Sequence, residues 1–190
     1  EMLQDIPFLQ AQINDNLISR VRLAVSGNIK TYITGLSGIL TAVDATMANL
    51  AGSDAQIWQL AVFAQQTIAK SNHSCTHMFL NPTDYARLIA LKGINNAPII
   101  VNATSASVGG VTIVPSNAMT VDKYIACDIT KLNVWEYKPI SVEMGWVNDD
   151  FTKNLRTFVG ETRVHYYIQS NDKTAFLYGD VTDDLTTIIA

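Results

Sequence analysis

The chain has 190 residues, a length for one domain or two small lobes. Hydrophobic content is 48% and charged content 16%, which is charge-poor for a protein surface and points to surface that partners bury. A net charge of −4 argues against direct nucleic-acid binding through a basic face, two cysteines make no disulfide framework, and no apolar run of about 18 residues is present to span a membrane.

The start, Glu1-Met-Leu-Gln-Asp-Ile-Pro7, lacks a signal peptide's basic region and apolar core. It is no clean initiator start either, and the chain reads as a piece of something longer. Asp5 caps and Pro7 opens a helix in which Ile6, Leu9, Ile13, Leu17, Val21 and Ala24 follow at spacings of three and four. Gly27 is the expected stop. Lys30 to Gly52, punctuated by Gly35, Gly38 and Gly52, reads as a loop with short extended parts. Ser53-Asp-Ala-Gln56 is a capping box for a second helix carrying Ile57, Leu60, Ala61, Ala64 and Ile68 and ending near Lys70.

Thr76 to Leu80 is a short strand. Asn81-Pro-Thr-Asp84 then opens a third helix, with Tyr85, Leu88 and Ile89 on its buried side and Gly93 as a stop. Pro98 to Val101, Val111 to Val114 after a Gly109-Gly110 turn, Lys123 to Cys127 and Leu132 to Glu136 read as short strands. Ala175 to Tyr178 is the final one. The class is α+β.

Between them lies the most distinctive stretch. Ile140, Val142, Met144 and Trp146 alternate with Ser141, Glu143 and Gly145, the period-2 pattern of a half-buried strand. A second arm runs from Asn154 to Ser170. Its even positions Phe158, Thr162, Val164, Tyr166 and Ile168 are mostly apolar, and its odd ones include Glu161, Arg163, His165 and Gln169. At roughly 3.3 Å per residue the second arm would span about 55 Å, against about 40 Å for a compact globule of this size. It must bend or belong to an elongated lobe, and neighbouring copies would have to cover such a lobe.

Chemistry-bearing residues are few. His73, Cys75 and His77 are zinc-ligand types, but a fourth ligand is missing, and the stretch reads as a polar strand start. Glu161, Arg163 and His165 share a strand face, as acid/base machinery or as a subunit-facing row with an ion pair. The row is the preferred reading. Asp149-Asp150 and Asp183-Asp184 read as turn and terminal acids. Asn72-His-Ser74 and Asn102-Ala-Thr104 are glycosylation sequons in form only. No phosphate-cradling glycine loop, Gly-x-Ser-x-Gly or His-Glu-x-x-His occurs. No metal, cofactor or small-molecule substrate is expected.

Four features in this order resemble the major capsid proteins of tailed double-stranded-DNA phages, the Hong Kong ninety-seven-type shell fold. They are the amphipathic helix Phe8 to Gly27, the segment from Met78 through Asn81-Pro-Thr-Asp-Tyr85 to Lys92-Gly93, Gly110-Val-Thr-Ile-Val-Pro-Ser116, and the hairpin followed by Ala175-Phe-Leu-Tyr-Gly179. The resemblance covers nearly the whole chain. It implies two lobes: a peripheral lobe of spine helix and long hairpin (1–36 and 137–170), and an axial lobe of mixed short strands flanked by helices (37–136 and 171–190). The axial lobe would sit at the symmetry axes of pentamers and hexamers. The family's N-terminal arm and extended loop lie upstream of the spine helix. This sequence starts almost at that helix, as a trimmed fragment or a prophage-type remnant would.

The resemblance implies a structural, non-enzymatic subunit of an icosahedral shell enclosing double-stranded DNA, found in the virion and, before assembly, in the bacterial cytoplasm. An encapsulin-type nanocompartment around protein cargo is the alternative within the fold. A small-molecule enzyme using Glu161, His165 and Asn154 is the rival of another class. Some family members crosslink their shells. By that likeness Asn154 would be the electrophile for a neighbour's lysine and Glu161 the base. Most members do not crosslink, and the loop that carries the lysine is missing here, so no catalytic residue is assigned.

Overall fold

The computed structural model describes residues 2–44, 46, 56–90, 106–153 and 155–189, with side chains from residue 8 onward. The chain divides into two compact units. The hairpin unit comprises Glu1–Ile29 and Val134–Tyr167. The sheet unit comprises Lys30–Asn133 and Ile168–Ala190.

The sheet unit is built on five strands in the order β2-β3-β1-β4-β7. These are β1 (His77–Leu80), β2 (Ala106–Val108), β3 (Val111–Pro115), β4 (Lys123–Cys127) and β7 (Phe176–Asp180). β1 runs parallel to β3, with Met78 opposite Ile113, and antiparallel to β4, with Met78 opposite Ala126. β2 and β3 form a hairpin whose turn needs positive φ at both Gly109 (+60°) and Gly110 (+87°), the conformation glycine adopts without a Cβ clash.

Helices α2 (Ile57–Ala69), α3 (Pro82–Ile89) and α4 (Val181–Ile189) accompany this sheet. The apolar side of α2, Leu60, Ala61, Ala64 and Ile68, packs into one core with Met78, Leu80, Ile113, Tyr124, Leu177 and Ile188. Each large side chain buried there contributes about 1.5–3 kcal/mol. The expected capping box is displaced. Gln56, not Ser53, is the N-cap of α2, and it exchanges hydrogen bonds with Gln59. Ser53 lies outside the described residues, as do Pro98 to Val101, Gly52, Gly93 and Asn102-Ala-Thr104.

The start of α3 is as the sequence predicts: Asn81 Oδ1 accepts from the Thr83 N–H at 2.9 Å and Pro82 takes the first turn. Its buried residues are Asp84 and Leu88, with Tyr85 and Ile89 only partly covered. Asp84 can be buried because its oxygens are satisfied, by the Asp122 N–H at 2.8 Å and by Arg87 at 3.0 Å.

Three further expectations need correction. Helix α1 (Met2–Gly35) does not stop at Gly27 and takes in Lys30 to Gly35, the first residues of the stretch read as a loop. Gly27 keeps a negative φ and an added Cβ there would meet nothing within 4 Å, so it lacks the left-handed turn by which a glycine ends a helix. Asp183 and Asp184, read as turn and terminal acids, lie in the first turn of helix α4, where Asp184 is buried. Asp180 starts that helix by accepting from the N–H groups of Thr182 (3.1 Å) and Asp183 (3.3 Å).

Third, the hairpin's strands are redistributed. β5 (Asn133–Gly145) is one 13-residue strand that joins Leu132–Glu136 to the first arm through Pro139. β6 (Thr157–Tyr167) has 11 residues, about 36 Å at 3.3 Å per residue, rather than the 55 Å expected. Leu155 belongs to the connecting turn, where its N–H reaches Asp150 O at 2.9 Å, and Ser170–Ala175 forms a 3₁₀ turn. Both ends of the expected arm are therefore taken by other hydrogen-bonding patterns.

Candidate assembly surface

The hairpin unit has two layers, α1 and the two-stranded sheet of β5 and β6. Even-numbered Ile140, Gly160, Thr162 and Val164 lie on the α1 side. A Cβ at Gly160 would lie 3.3 Å from Val21 Cγ2 and 3.7 Å from Leu17 Cβ, so glycine lets helix and strand approach closely. A cavity of about 410 Å³ opens between the layers, lined by Arg22, Val25, Ser26, Val134, Glu136, Ile140, Thr162 and Val164. Trp135, Tyr137, Val159, Arg163 and His165 are exposed.

Not one described side chain of the hairpin unit is buried, whereas the sheet unit holds the whole buried core. Of the fourteen large apolar side chains left exposed among the described residues, twelve lie in the hairpin unit. Tyr137 (85%), Phe151 (76%) and Trp135 (66%) are the most open on the hairpin. So many exposed apolar side chains on a unit whose described side chains form no buried core point to an interaction surface.

Several contacts nevertheless tie together the described residues at the far end of the hairpin. Asp150 Oδ2 accepts from the Val147 N–H at 3.0 Å and the Thr157 hydroxyl at 2.6 Å, and these bonds hold its carboxyl below the usual range. Trp146 meets Phe151 edge to face at 6.0 Å, and the Arg156 guanidinium lies 4.7 Å over the Trp146 ring. Lys153 pairs with Asp149. Asp149 and Asp150 are thus turn acids.

Of the candidate catalytic residues, the described pair Glu161 and His165 do not converge. Glu161 is ion-paired with Lys138, which also stands 3.5 Å from Glu143. The ion pair of this row is therefore with a lysine on β5, not with Arg163 or His165. A groove of about 240 Å³ beside Glu161 is lined by Glu143, Met144, Gly145, Val147, Thr157 and Val159, and His165 is not part of it. His165 packs instead against the ring of Tyr167, 5.9 Å away. Asn154 lies outside the described residues.

At the start of β1, Cys75 is buried with its thiol directed to His77 O at 3.7 Å, and His77 Nδ1 lies 2.9 Å from the Thr76 hydroxyl. No three metal-ligating side chains gather among the described residues. Burial pushes the Cys75 thiol up to about 11 and raises Cys127 further. No described helix is long and apolar enough to cross a membrane.

Sequence reasoning missed Asp184, a buried carboxylate that accepts from the Tyr124 hydroxyl at 2.7 Å and the Val43 N–H at 3.1 Å. The signal was available in Asp180-Val-Thr-Asp-Asp184, an aspartate cap followed by an acidic first turn. The lysine partner of Glu161 was also missed, because cross-strand neighbours depend on register.

No family model matches the chain, and no curated protein matches it. Solved structures do. A virus-like particle from Pyrococcus furiosus aligns at 14% identity and TM-score 0.59, over 83% of this chain and 63% of that one. Microbacterium phage Oxtober96 aligns at 16% identity and TM-score 0.51, over 82% and 54%. A structure of Phage G major capsid and decoration proteins aligns at 8% identity and TM-score 0.53, over 76% and 51%. The chain thus spans between 51% and 63% of the length of these chains. A long N-terminal helix, a two-stranded hairpin and a mixed five-stranded sheet with its helices give this chain the α+β fold of phage major capsid proteins.

Proposed function

We propose that the protein is a structural subunit of an icosahedral phage or prophage shell that encloses double-stranded DNA. The observation that carries this reading is the hairpin unit's composition: no described side chain is buried, yet most of the exposed large apolar side chains are there. Such a unit gains its missing burial from neighbouring copies. The likeness in fold to a virus-like particle and to phage structures supports the same reading. In it, the hairpin unit is the peripheral lobe, and the sheet unit is the axial lobe near the symmetry axes of pentamers and hexamers. The work of the molecule is self-association, not turnover, and its place is the virion.

Electron microscopy of the full-length protein tests this. Closed particles or ring-shaped oligomers are expected, and a strictly monomeric protein at high concentration overturns the reading. Nuclease-protected DNA inside particles from cells distinguishes a phage head from a compartment filled with protein cargo. The Lys138–Glu161 pair supports a shell held by noncovalent contacts, because the glutamate is already engaged by a cation of its own chain. Boiled particles should then run as monomers on a denaturing gel.

A further inference from the structure

The sulfur atoms of the described residues divide sharply by burial. Met78 and Met119 are 0% and 4% exposed, and desolvation keeps the buried Cys75 and Cys127 thiols protonated. The side chains of Met2 and Met47 lie outside the described residues. Met144, next to the end of β5, is 43% exposed and lines the groove of about 240 Å³ together with Thr157 and Val159. One water needs only about 10–15 Å³, so a small polar oxidant reaches this sulfur. Two N–H donors already face it. Gln10 Nε2, on α1, lies 3.8 Å from Met144 Sδ, and Arg156 Nη1, just before β6, lies 4.0 Å from it. All three residues belong to the hairpin unit. A thioether is a weak acceptor, so these contacts add little as they stand.

We propose that Met144 is a site of oxidation by small peroxides, and that Gln10 and Arg156 capture the resulting sulfoxide and fasten α1 to the end of β5. In the step, a sulfur lone pair attacks one oxygen of hydrogen peroxide. The O–O bond breaks, the S–O bond forms, and the released hydroxide takes the proton of the transferred oxygen and leaves as water. The thioether is oxidised and the peroxide reduced, with no further reactant. The Arg156 guanidinium and the Gln10 amide stabilise the negative charge that develops on oxygen as the O–O bond breaks. The sulfoxide oxygen is a much stronger acceptor than the thioether, and it is borne by the atom these donors already face. Oxidation of a methionine in a packed core makes an apolar side chain polar and disrupts its surroundings. At Met144 the new oxygen instead meets two donors. The inference does not rest on the shell-subunit reading.

The test treats the unassembled full-length protein with hydrogen peroxide and follows each methionine by peptide mass spectrometry. Met144 should gain one oxygen at least about tenfold faster than Met78 and Met119. Backbone amides around Gln10 and Met144 should then exchange with solvent about fivefold more slowly, and a methionine sulfoxide reductase should reverse both changes. Met144→Leu keeps the apolar volume and should show neither change. Gln10→Ala and Arg156→Ala should still be oxidised at Met144, each with part of the added protection lost, and the double variant Q10A/R156A should gain none. Oxidation of Met78 or Met119 as fast as Met144 would overturn the site. Exchange that is unchanged or faster after oxidation, or full added protection in Q10A/R156A, would overturn the capture.

Discussion

The Tyr124 hydroxyl donates to Asp184 Oδ2 at 2.7 Å inside the sheet unit, across 60 residues of sequence, and both residues are buried. The same carboxylate accepts from the Val43 N–H, so β4, α4 and the segment after α1 meet on one polar group. Gly179 makes this possible. A Cβ there would lie 2.3 Å from Asp184 Oδ2 and 2.7 Å from the Tyr124 ring.

Gly179→Ala should therefore destabilise the protein by about 1–3 kcal/mol through overpacking. Urea unfolding of the sheet unit measures it. Gly160→Ala has a gentler contact, 3.3 Å from Val21 Cγ2, and should cost less. Equal losses for the two variants would contradict the close approach at Gly179.

Burial raises the Asp184 carboxyl above its ordinary value, against the opposing effect of the Tyr124 and Val43 hydrogen bonds. A folded-state value above the unfolded one means that the group favours the folded state most when protonated. That contribution is complete below the unfolded carboxyl value and is lost as pH rises through the folded one. Asp184→Asn lacks the titration. The stability of the wild type relative to D184N should thus grow as pH falls from neutral toward 4. Thermal unfolding of both proteins across that range checks it, and a constant difference would refute it.

Asp44, Asp128, Asp150 and Asp180 have carboxyls lowered by their partners, and their contributions fade at acid pH in both proteins. Taking the difference between wild type and variant isolates Asp184.

Cys75 and Cys127 are buried with thiols raised by desolvation, so almost no thiolate exists at neutral pH. A thiol reagent should label neither in the native protein and both in denaturant. Rapid native labelling of either would contradict the burial.

Hydrogen exchange should separate the units. Amides of β1, β4 and β7 stand over a closed core and should exchange slowly in the unassembled protein. Those of β5 and β6 belong to a unit with no buried side chain among its described residues and should exchange much faster, then slow strongly on assembly. Equal protection of both in the unassembled protein would mean that the hairpin unit needs no partner.

Local chemistry was legible in the sequence wherever it decides structure alone. Asn81 and Pro82 cap α3, Gly109-Gly110 turns β2 into β3, and the alternation from Ile140 and from Phe158 specifies two half-buried strands, because each depends on neighbours a few residues away. The α+β class and the likeness to a shell protein followed from the order of such signals.

What the tertiary structure decided is pairwise and distant. Gly27 ends a helix or passes through one depending on the backbone around it, and α1 runs on to Gly35. Asp184 is a core residue only because Tyr124 and Val43 are brought to it. The Glu161–Lys138 pair exists only in the register that β5 and β6 adopt. The open apolar surface from Trp135 to Leu155 was visible as composition alone. The fold showed that the described residues of its own unit leave it open, since burial is a property of packed neighbours and not of a sequence pattern.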